Sequence, residues 1–407
     1  MDQARVRLDL PPELDSAYPV LLERSFIVPS SNLVNQAALC AVLDENHLDA
    51  LIAVYPKNVF YYSGSPIART QLLIGYLPED PGRATLSAVV VSGGGENTLI
   101  CSEEEEAVNR EGAWVEQIRL YEAYRQSPME AVAKAIEEKG LQDSRLGIEA
   151  EYLTVSYLQE LKGLLPHAQF VPSDQQMEWI RSLKTQREIE ILKEAADLLD
   201  DATLEAFSSA RMGETEWDIH CRIIEGAMRR GAEHCRGFLG AGVTHDITFL
   251  PAGPKRLEPG DIVHTDHAAF LHGYPGHVSR IGVMGEPTNL QRKKYANLLA
   301  VERRIIEFMR PGVTGQEVFR FARKAFSDLG YLTNALPILG HNLGLGYHER
   351  PMLTAAETMP LEVSNVVALE PAIEWKFHIQ DQVVIEKDGA RRQSDKFDTR
   401  ELFVMGE

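Results

Sequence analysis

Asp266 and His277, His341 in Gly340-His341-Asn342-Leu343-Gly344, and Glu370 in Leu369-Glu370-Pro371 are the residues of this chain whose types belong together chemically. Two carboxylates and two imidazoles, each beside a glycine or proline turn, form the usual donor set for a divalent cation. The run Gly260-Asp261-Ile262-Val263-His264-Thr265-Asp266 leads into Gly273-Tyr274-Pro275-Gly276-His277-Val278-Ser279-Arg280. Two strands joined around His272–Gly276 form a hairpin that brings Asp266 and His277 to one sheet face, because side chains alternate along a strand. His348-Glu349-Arg350-Pro351 follows the glycine-rich loop of His341.

Other candidates carry less. Ser92-Gly93-Gly94-Gly95-Glu96 lacks the Lys and Ser/Thr of a phosphate loop and reads as a hairpin turn. Glu103–Glu106 reads as a solvated helix start, and no base or acid partner in the sequence makes His234-Cys235 a thiol nucleophile.

The elements that must position these residues fall into two halves. A chain of 407 residues exceeds the size at which a single core stops growing. Ala50–Tyr55, Leu86–Val91 and Leu146–Ala150 read as strands, with helices over Leu33–Asn46 and Met129–Lys139. This is an α/β domain, bounded at 1–172, with 173–407 as the second domain. Val171–Lys184 bridges them. In the second half Thr185-Gln186-Arg187-Glu188 is a capping box ahead of Ile189, Leu192, Ala196, Leu199 and Thr203 at helical spacing. Thr215 with Asp218, and Thr314-Gly315-Gln316-Glu317, open two more helices. Arg211, Gly213, Thr215 and Gly231 recur at one fixed offset as Arg310, Gly312, Thr314 and Gly330. That repeat implies a pseudo-twofold domain of two helix pairs with strands at Asp261–Phe270, His277–Met284, Asn365–Ile373 and Gln380–Glu386.

Composition bounds the partners. A net charge of −19 argues against nucleic acid or anionic lipid. No run reaches membrane-spanning length, and Cys40, Cys101, Cys221 and Cys235 show no CxxC spacing. The expectation is a soluble cytoplasmic protein with reduced thiols and a small-molecule substrate.

The motifs Gly260-Asp261, Gly273-Tyr274, Ser279-Arg280, Gly340-His341, His348-Glu349-Arg350-Pro351, Leu361-Glu362, Glu370-Pro371 and Asp388-Gly389 resemble the creatinase/prolidase/methionine aminopeptidase superfamily. Pro56-Lys57-Asn58-Val59-Phe60-Tyr61-Tyr62-Ser63-Gly64 resembles the N-terminal domain of creatinases and prolidases. The resemblance implies an α+β protein: a small N-terminal α/β domain and a C-terminal pita-bread domain with pseudo-twofold helices on a curved antiparallel sheet. It further implies a homodimer in which each N-terminal domain covers the partner's cleft.

Such enzymes hold two metal ions with Asp, Asp, His, Glu and Glu. By resemblance, the first Asp falls on Asp266, the His on His341 and the first Glu on Glu370. The second Asp falls on His277 and the last Glu on Gln380. The substrate histidine falls near Phe249, with His245 close but out of register, while a second histidine falls on His348. Two carboxylates that would bridge two cations are thus replaced by neutral groups.

What remains is His277, His341 and Glu370, with Asp266 as a fourth ligand or a base, around one divalent ion (Fe, Mn or Zn). Asp266, His348 and Gln380 are the catalytic candidates. Phe249, His245, Arg69 and Tyr347 are the substrate-binding ones. The expected activity is metal-dependent hydrolysis of a peptide-like or small-molecule C–N bond. Two histidines and a glutamate also fit a mononuclear Fe(II) lyase or oxygenase. A metal-free creatinase-like hydrolase and a non-catalytic binding homologue are the further alternatives.

Overall fold

The computed structural model describes residues 33–74, 86–242, 250–331, 337–374 and 377–406. His245 and Phe249 lie outside them. In the N-terminal half, strands β1 (Ala50–Ala53), β2 (Ala88–Ser92), β3 (Thr98–Ser102), β4 (Gln117–Tyr121), β5 (Arg145–Ile148) and β6 (Gln169–Pro172) form one sheet in the order β4-β3-β2-β1-β5-β6. Alternation along β1 decides which layer each side chain joins. Ala50 and Ile52 pack with Met129, Val132 and Ile136 of helix Pro128–Glu138, while Leu51 and Ala53 face Leu39 and Val42 of helix Gln36–Glu45. The second of these layers also takes in Tyr274, Leu343, Leu345 and Val384, so the two halves share apolar packing.

The C-terminal half has two sheets. One runs β18-β10-β8-β7 with β9 paired to β8, built from β7 (His234–Ala241), β8 (Ile262–Leu271), β9 (Tyr274–Val278), β10 (Ile281–Met284) and β18 (Phe403–Met405). The other runs β12-β11-β13-β16-β17, from β11 (Ile338–Asn342), β12 (Glu349–Thr354), β13 (Val366–Leu369), β16 (Asp381–Glu386) and β17 (Gly389–Arg392). A short pair, β14 (Ala372–Ile373) and β15 (Phe377–His378), lies between β13 and β16 in sequence. Helices Gln186–Ser208 and Glu216–Arg229 cover the first sheet; Asn289–Phe308 and Gly315–Asp328 cover the second.

The repeat in the sequence is a repeat in three dimensions. Thr215 bridges Arg256 as Thr314 bridges Pro360. The Gly213 N–H donates to the Leu257 carbonyl at 3.0 Å, and the Gly312 N–H to that of Leu361 at 2.8 Å. Both glycines are left-handed, at φ 82° and 87°, which a residue with a Cβ adopts only under strain. The capping boxes at Thr185, Thr215 and Thr314 all form.

Two strands differ from the sequence expectation. His277–Met284 is not continuous: the chain leaves the sheet at Ser279-Arg280, where Ser279 exchanges backbone hydrogen bonds with Gln380 at 3.1 and 3.2 Å. This bridge joins the two sheets. Asn365–Ile373 likewise breaks at Glu370-Pro371, since proline has no N–H to donate to a ladder. The Val171–Lys184 bridge contains a helix, Asp174–Ser182. No helix among the described residues is long and apolar enough to cross a membrane.

Candidate active site

The predicted hairpin is present. β8 and β9 pair antiparallel with Leu271 opposite Tyr274, and the turn is His272-Gly273 with positive φ at both, 51° and 83°. His277 stands opposite Ala268, so Asp266, two residues before Ala268, shares its face. The hairpin lies directly on helix Gln186–Ser208: a Cβ at Gly276 would sit 2.1 Å from the backbone carbon of Ala195. Only glycine permits that approach.

Asp266 Oδ1 lies 2.9 Å from His277 Nε2, and the Tyr347 hydroxyl is 2.6 Å from the same nitrogen. Gln380 Nε2 lies 2.6 Å from His277 Nδ1, brought there by the Ser279–Gln380 bridge. A carboxylate only accepts, so the imidazole proton sits on Nε2 toward Asp266, and Nδ1 accepts from the Gln380 amide. Both ring nitrogens of His277 are therefore engaged.

Burial pushes the Asp266 carboxyl up, but the His277 hydrogen bond and the imidazoles of His277, His378 and His264 outweigh it. The result is a carboxyl well below its usual range, ionised at any working pH. Burial, with Asp266 alongside, raises the Tyr347 hydroxyl well above its ordinary value, so it remains a neutral donor. Burial also holds His341 well below the usual imidazole value. His341 Nδ1 lies 3.3 Å from the Asn342 carbonyl, leaving Nε2 buried with no hydrogen-bond partner.

The loop between β11 and β12 carries Tyr347 and His348. Its path is set by Glu349, whose Oε1 accepts from the Gly346 N–H at 2.8 Å. Glu349 itself is held by Arg181 at 3.3 Å and Lys184 at 3.4 Å, all three side chains essentially without solvent contact. His348 is exposed, its ring 4.0 Å from that of His341.

Of the residues singled out in the sequence, Asp266, His277, Gln380 and Tyr347 meet directly, and the His341 ring centre is 5.5 Å from that of His277. Glu370 is buried and faces His378, with Oε2 3.7 Å from Nε2. Arg69 is turned within the chain to Glu233 at 3.3 Å, against the hairpin turn at Gly273.

Three residues near the site were not singled out from sequence. His378 and His264 are buried, with His264 Nε2 2.8 Å from His378 Nδ1. Arg236, exposed on β7, lies 5.5 Å over the Tyr347 ring. The signal for the first two was available: each stands two residues before a site position, Asp266 or Gln380. The adjacent His267 faces the helix layer instead, where its Nε2 meets His220 at 2.9 Å.

Two helix-covered sheets meeting over a buried cluster of His, Asp, Glu and Gln define a pita-bread domain behind an N-terminal α/β domain. Residues 190–389 match Metallopeptidase family M24, and residues 36–183 match the Creatinase/Prolidase N-terminal domain. The chain belongs to the creatinase/prolidase/aminopeptidase P superfamily. It is 27% identical over 361 residues to an Xaa-Pro dipeptidase of Pyrococcus furiosus, covering 87% of this chain and 95% of the relative. The prolidase structure from Pyrococcus furiosus superposes with a TM-score of 0.69 at 26% identity, over 88% of this chain and 99% of that one. An X-Pro aminopeptidase structure from Thermotoga maritima superposes with a TM-score of 0.76 at 22% identity, over 91% and 99%.

The side chains present do not suit two cations, since the positions for two of four carboxylates hold His277 and Gln380. They suit one. His341 Nε2, Gln380 Oε1 and His378 Nε2 are buried and unpartnered. Such atoms cost roughly 1–3 kcal/mol each when left so, and a cation or water relieves them. Among the described residues no three His, Cys, Asp or Glu side chains are already gathered as ligands. The donors stand in pairs, Asp266 with His277 and Glu370 with His378.

Proposed function

We propose that this protein hydrolyses a peptide-like C–N bond in a small substrate of the Xaa-Pro dipeptide kind, using one divalent cation held by His341 and Glu370, with Asp266 and the hydrogen-bonded His277 beside it. The observation that carries the reading is the pair of buried donor atoms without hydrogen-bond partners, His341 Nε2 and Gln380 Oε1, beside Asp266 at the junction of the two sheets. The named relative is an Xaa-Pro dipeptidase and the prolidase structure matches at 26% identity, which favours hydrolysis over iron-dependent lyase or oxygenase chemistry.

When bound, the cation supplies Lewis-acid polarisation of the scissile carbonyl and lowers the pKa of water. The chain's own groups do the rest. Asp266, ionised and desolvated, fixes the His277 ring and balances positive charge beside it without itself becoming protonated. The neutral Tyr347 hydroxyl is placed to donate to developing negative charge on the carbonyl oxygen. His348, at the mouth, contacts the substrate, and Arg236 beside Tyr347 offers a guanidinium to a substrate carboxylate. The same reading places the protein in the cytoplasm as a homodimer.

A second reading has an observation of its own. Both nitrogens of His277 are already hydrogen-bonded, which favours a metal-free site in which His341 Nε2 accepts the proton of water. Mass spectrometry of metal in the purified protein, beside hydrolysis of Xaa-Pro dipeptides with and without chelator, separates the two. About one equivalent, lost in His341→Ala together with turnover, supports the cation. Turnover that survives chelation, with no metal found, replaces it with the metal-free reading. No hydrolysis of any dipeptide under either condition removes both.

A further inference from the structure

The donor lost from this site at Gln380 has a replacement two residues away. His378 is buried on β15, and its Nδ1 is fixed by His264 Nε2 at 2.8 Å. Its Nε2 has no hydrogen-bond partner and points toward Glu370, whose Oε2 lies 3.7 Å off. That separation is too long for a hydrogen bond. It is close to the edge of a coordination polyhedron: with metal–ligand bonds of ~2.1 Å, two ligands at a tetrahedral angle stand about 3.4 Å apart. An imidazole whose outer nitrogen is held by a neighbour while its inner nitrogen faces a carboxylate has the arrangement of a metal-ligating histidine.

The surroundings agree with this assignment. His264 and Asp266 lie at alternate positions of β8 and so on one face, and His378 ends β15 two residues before Gln380. His378 and His264 both lie within electrostatic reach of Asp266. Glu370 in turn lies within electrostatic reach of Tyr347 and His348, so the pairs Asp266–His277 and Glu370–His378 are neighbours, and His378 Nε2, His341 Nε2 and Gln380 Oε1 lack partners.

We propose that His378 is itself a ligand of the cation, together with Glu370, and that His264 is a positioning residue that orients its ring. This rests on the single-cation reading above. It assigns the chain an imidazole donor where a carboxylate is absent, so the ligand set is displaced toward Glu370 rather than merely depleted.

The test is titration of the full-length, chelator-stripped protein with Co²⁺ alone, followed by visible ligand-field absorption and by mass spectrometry. Wild type is compared with His378→Ala, His264→Ala and His341→Ala, and far-ultraviolet circular dichroism verifies folding; His378→Gln is used if the alanine variant does not fold. The expected result is about one equivalent bound by wild type, with affinity weakened at least ~10-fold and the absorption band displaced in His378→Ala. Added imidazole restores the band in that variant. In His264→Ala affinity falls about 10-fold with the band shape kept, as for loss of an outer hydrogen-bond partner. A His378→Ala protein that binds Co²⁺ like wild type with an unchanged band, while His341→Ala loses it, overturns the role of His378 and leaves the cation reading intact. Wild type that takes up no Co²⁺ overturns both.

Discussion

Glu349→Gln tests whether the site loop hangs on a buried charge cluster. In the folded chain the Glu349 carboxylate faces Arg181 at 3.3 Å and Lys184 at 3.4 Å, with every partner at most 2% exposed. At an effective dielectric of about 20, each contact is worth about 5 kcal/mol before desolvation is counted. Desolvation of three charges and repulsion between the two cations offset most of that sum. Removing the carboxylate recovers only its own desolvation, because Arg181 and Lys184 stay buried without their partner. A broken buried pair of this kind costs roughly 3–5 kcal/mol, against a total stability of about 5–15 kcal/mol.

The assay is equilibrium urea unfolding followed by tryptophan fluorescence. Glu225→Gln, which removes the exposed helical pair with Arg229, serves as the control and leaves the midpoint unchanged. Lys184→Met added to Glu349→Gln recovers part of the loss, since it removes one stranded charge. Turnover of Glu349→Gln falls even where the protein is folded, because the Gly346 N–H loses its charged acceptor and Tyr347 and His348 lose their register. A Glu349→Gln protein no less stable than the Glu225→Gln control refutes the reasoning.

Two further perturbations follow. Burial raises the Glu188 carboxyl to about 7 from 4.5, despite hydrogen bonds from the Thr185 N–H and the Tyr274 hydroxyl. A raised carboxyl pKa favours the protonated folded state, so its contribution is full below the unfolded value and lost as pH rises through the folded one. Relative to Glu188→Gln, wild type should lose roughly 3 kcal/mol between about pH 5 and about pH 8 in urea unfolding; a difference that stays flat with pH contradicts this. Restoring both carboxylates in His277→Asp with Gln380→Glu should raise bound Mn²⁺ from about one equivalent to about two by mass spectrometry. A count that stays at one would show that charge at these two positions does not set the stoichiometry.

The parts of this structure that were legible in the sequence are those encoded locally. Capping boxes at Thr185, Thr215 and Thr314 announce their helices because donor and acceptor lie three residues apart. The Arg211/Arg310 repeat was readable because each copy recurs at a fixed distance, and the glycines in it answer to a backbone requirement. The break in the strand at Ser279 was not readable. It depends on Gln380, a hundred residues on, outbidding β8 for the Ser279 backbone. Glu349 was visible as part of a motif, but its function follows from Arg181 and Lys184, which arrive from the helix and linker joining the two halves. His264 and His378 were within reach of strand periodicity. A histidine without a recognised partner carries no signal until the fold supplies the partner.

Charge explains why imidazole and amide, rather than apolar groups, stand at His277 and Gln380. Two divalent ions about 3.7 Å apart repel by roughly 18 kcal/mol at an effective dielectric of about 20, which is why such a pair needs carboxylates between them. This site keeps Asp266 and Glu370 as its carboxylates, enough to neutralise one divalent ion but not two. Had the lost positions simply been released from function, apolar side chains would fill the buried space at lower cost than unpartnered polar atoms. Instead Gln380, His341 and His378 retain unpartnered lone pairs there while adding no negative charge, His277 is held by hydrogen bonds on both ring nitrogens, and His264 fixes His378. A site that keeps its electron-pair donors and sheds its surplus charge is built for a smaller positive charge than the two-ion centre, whether one cation or the proton of a metal-free hydrolase, and the metal count decides between those two.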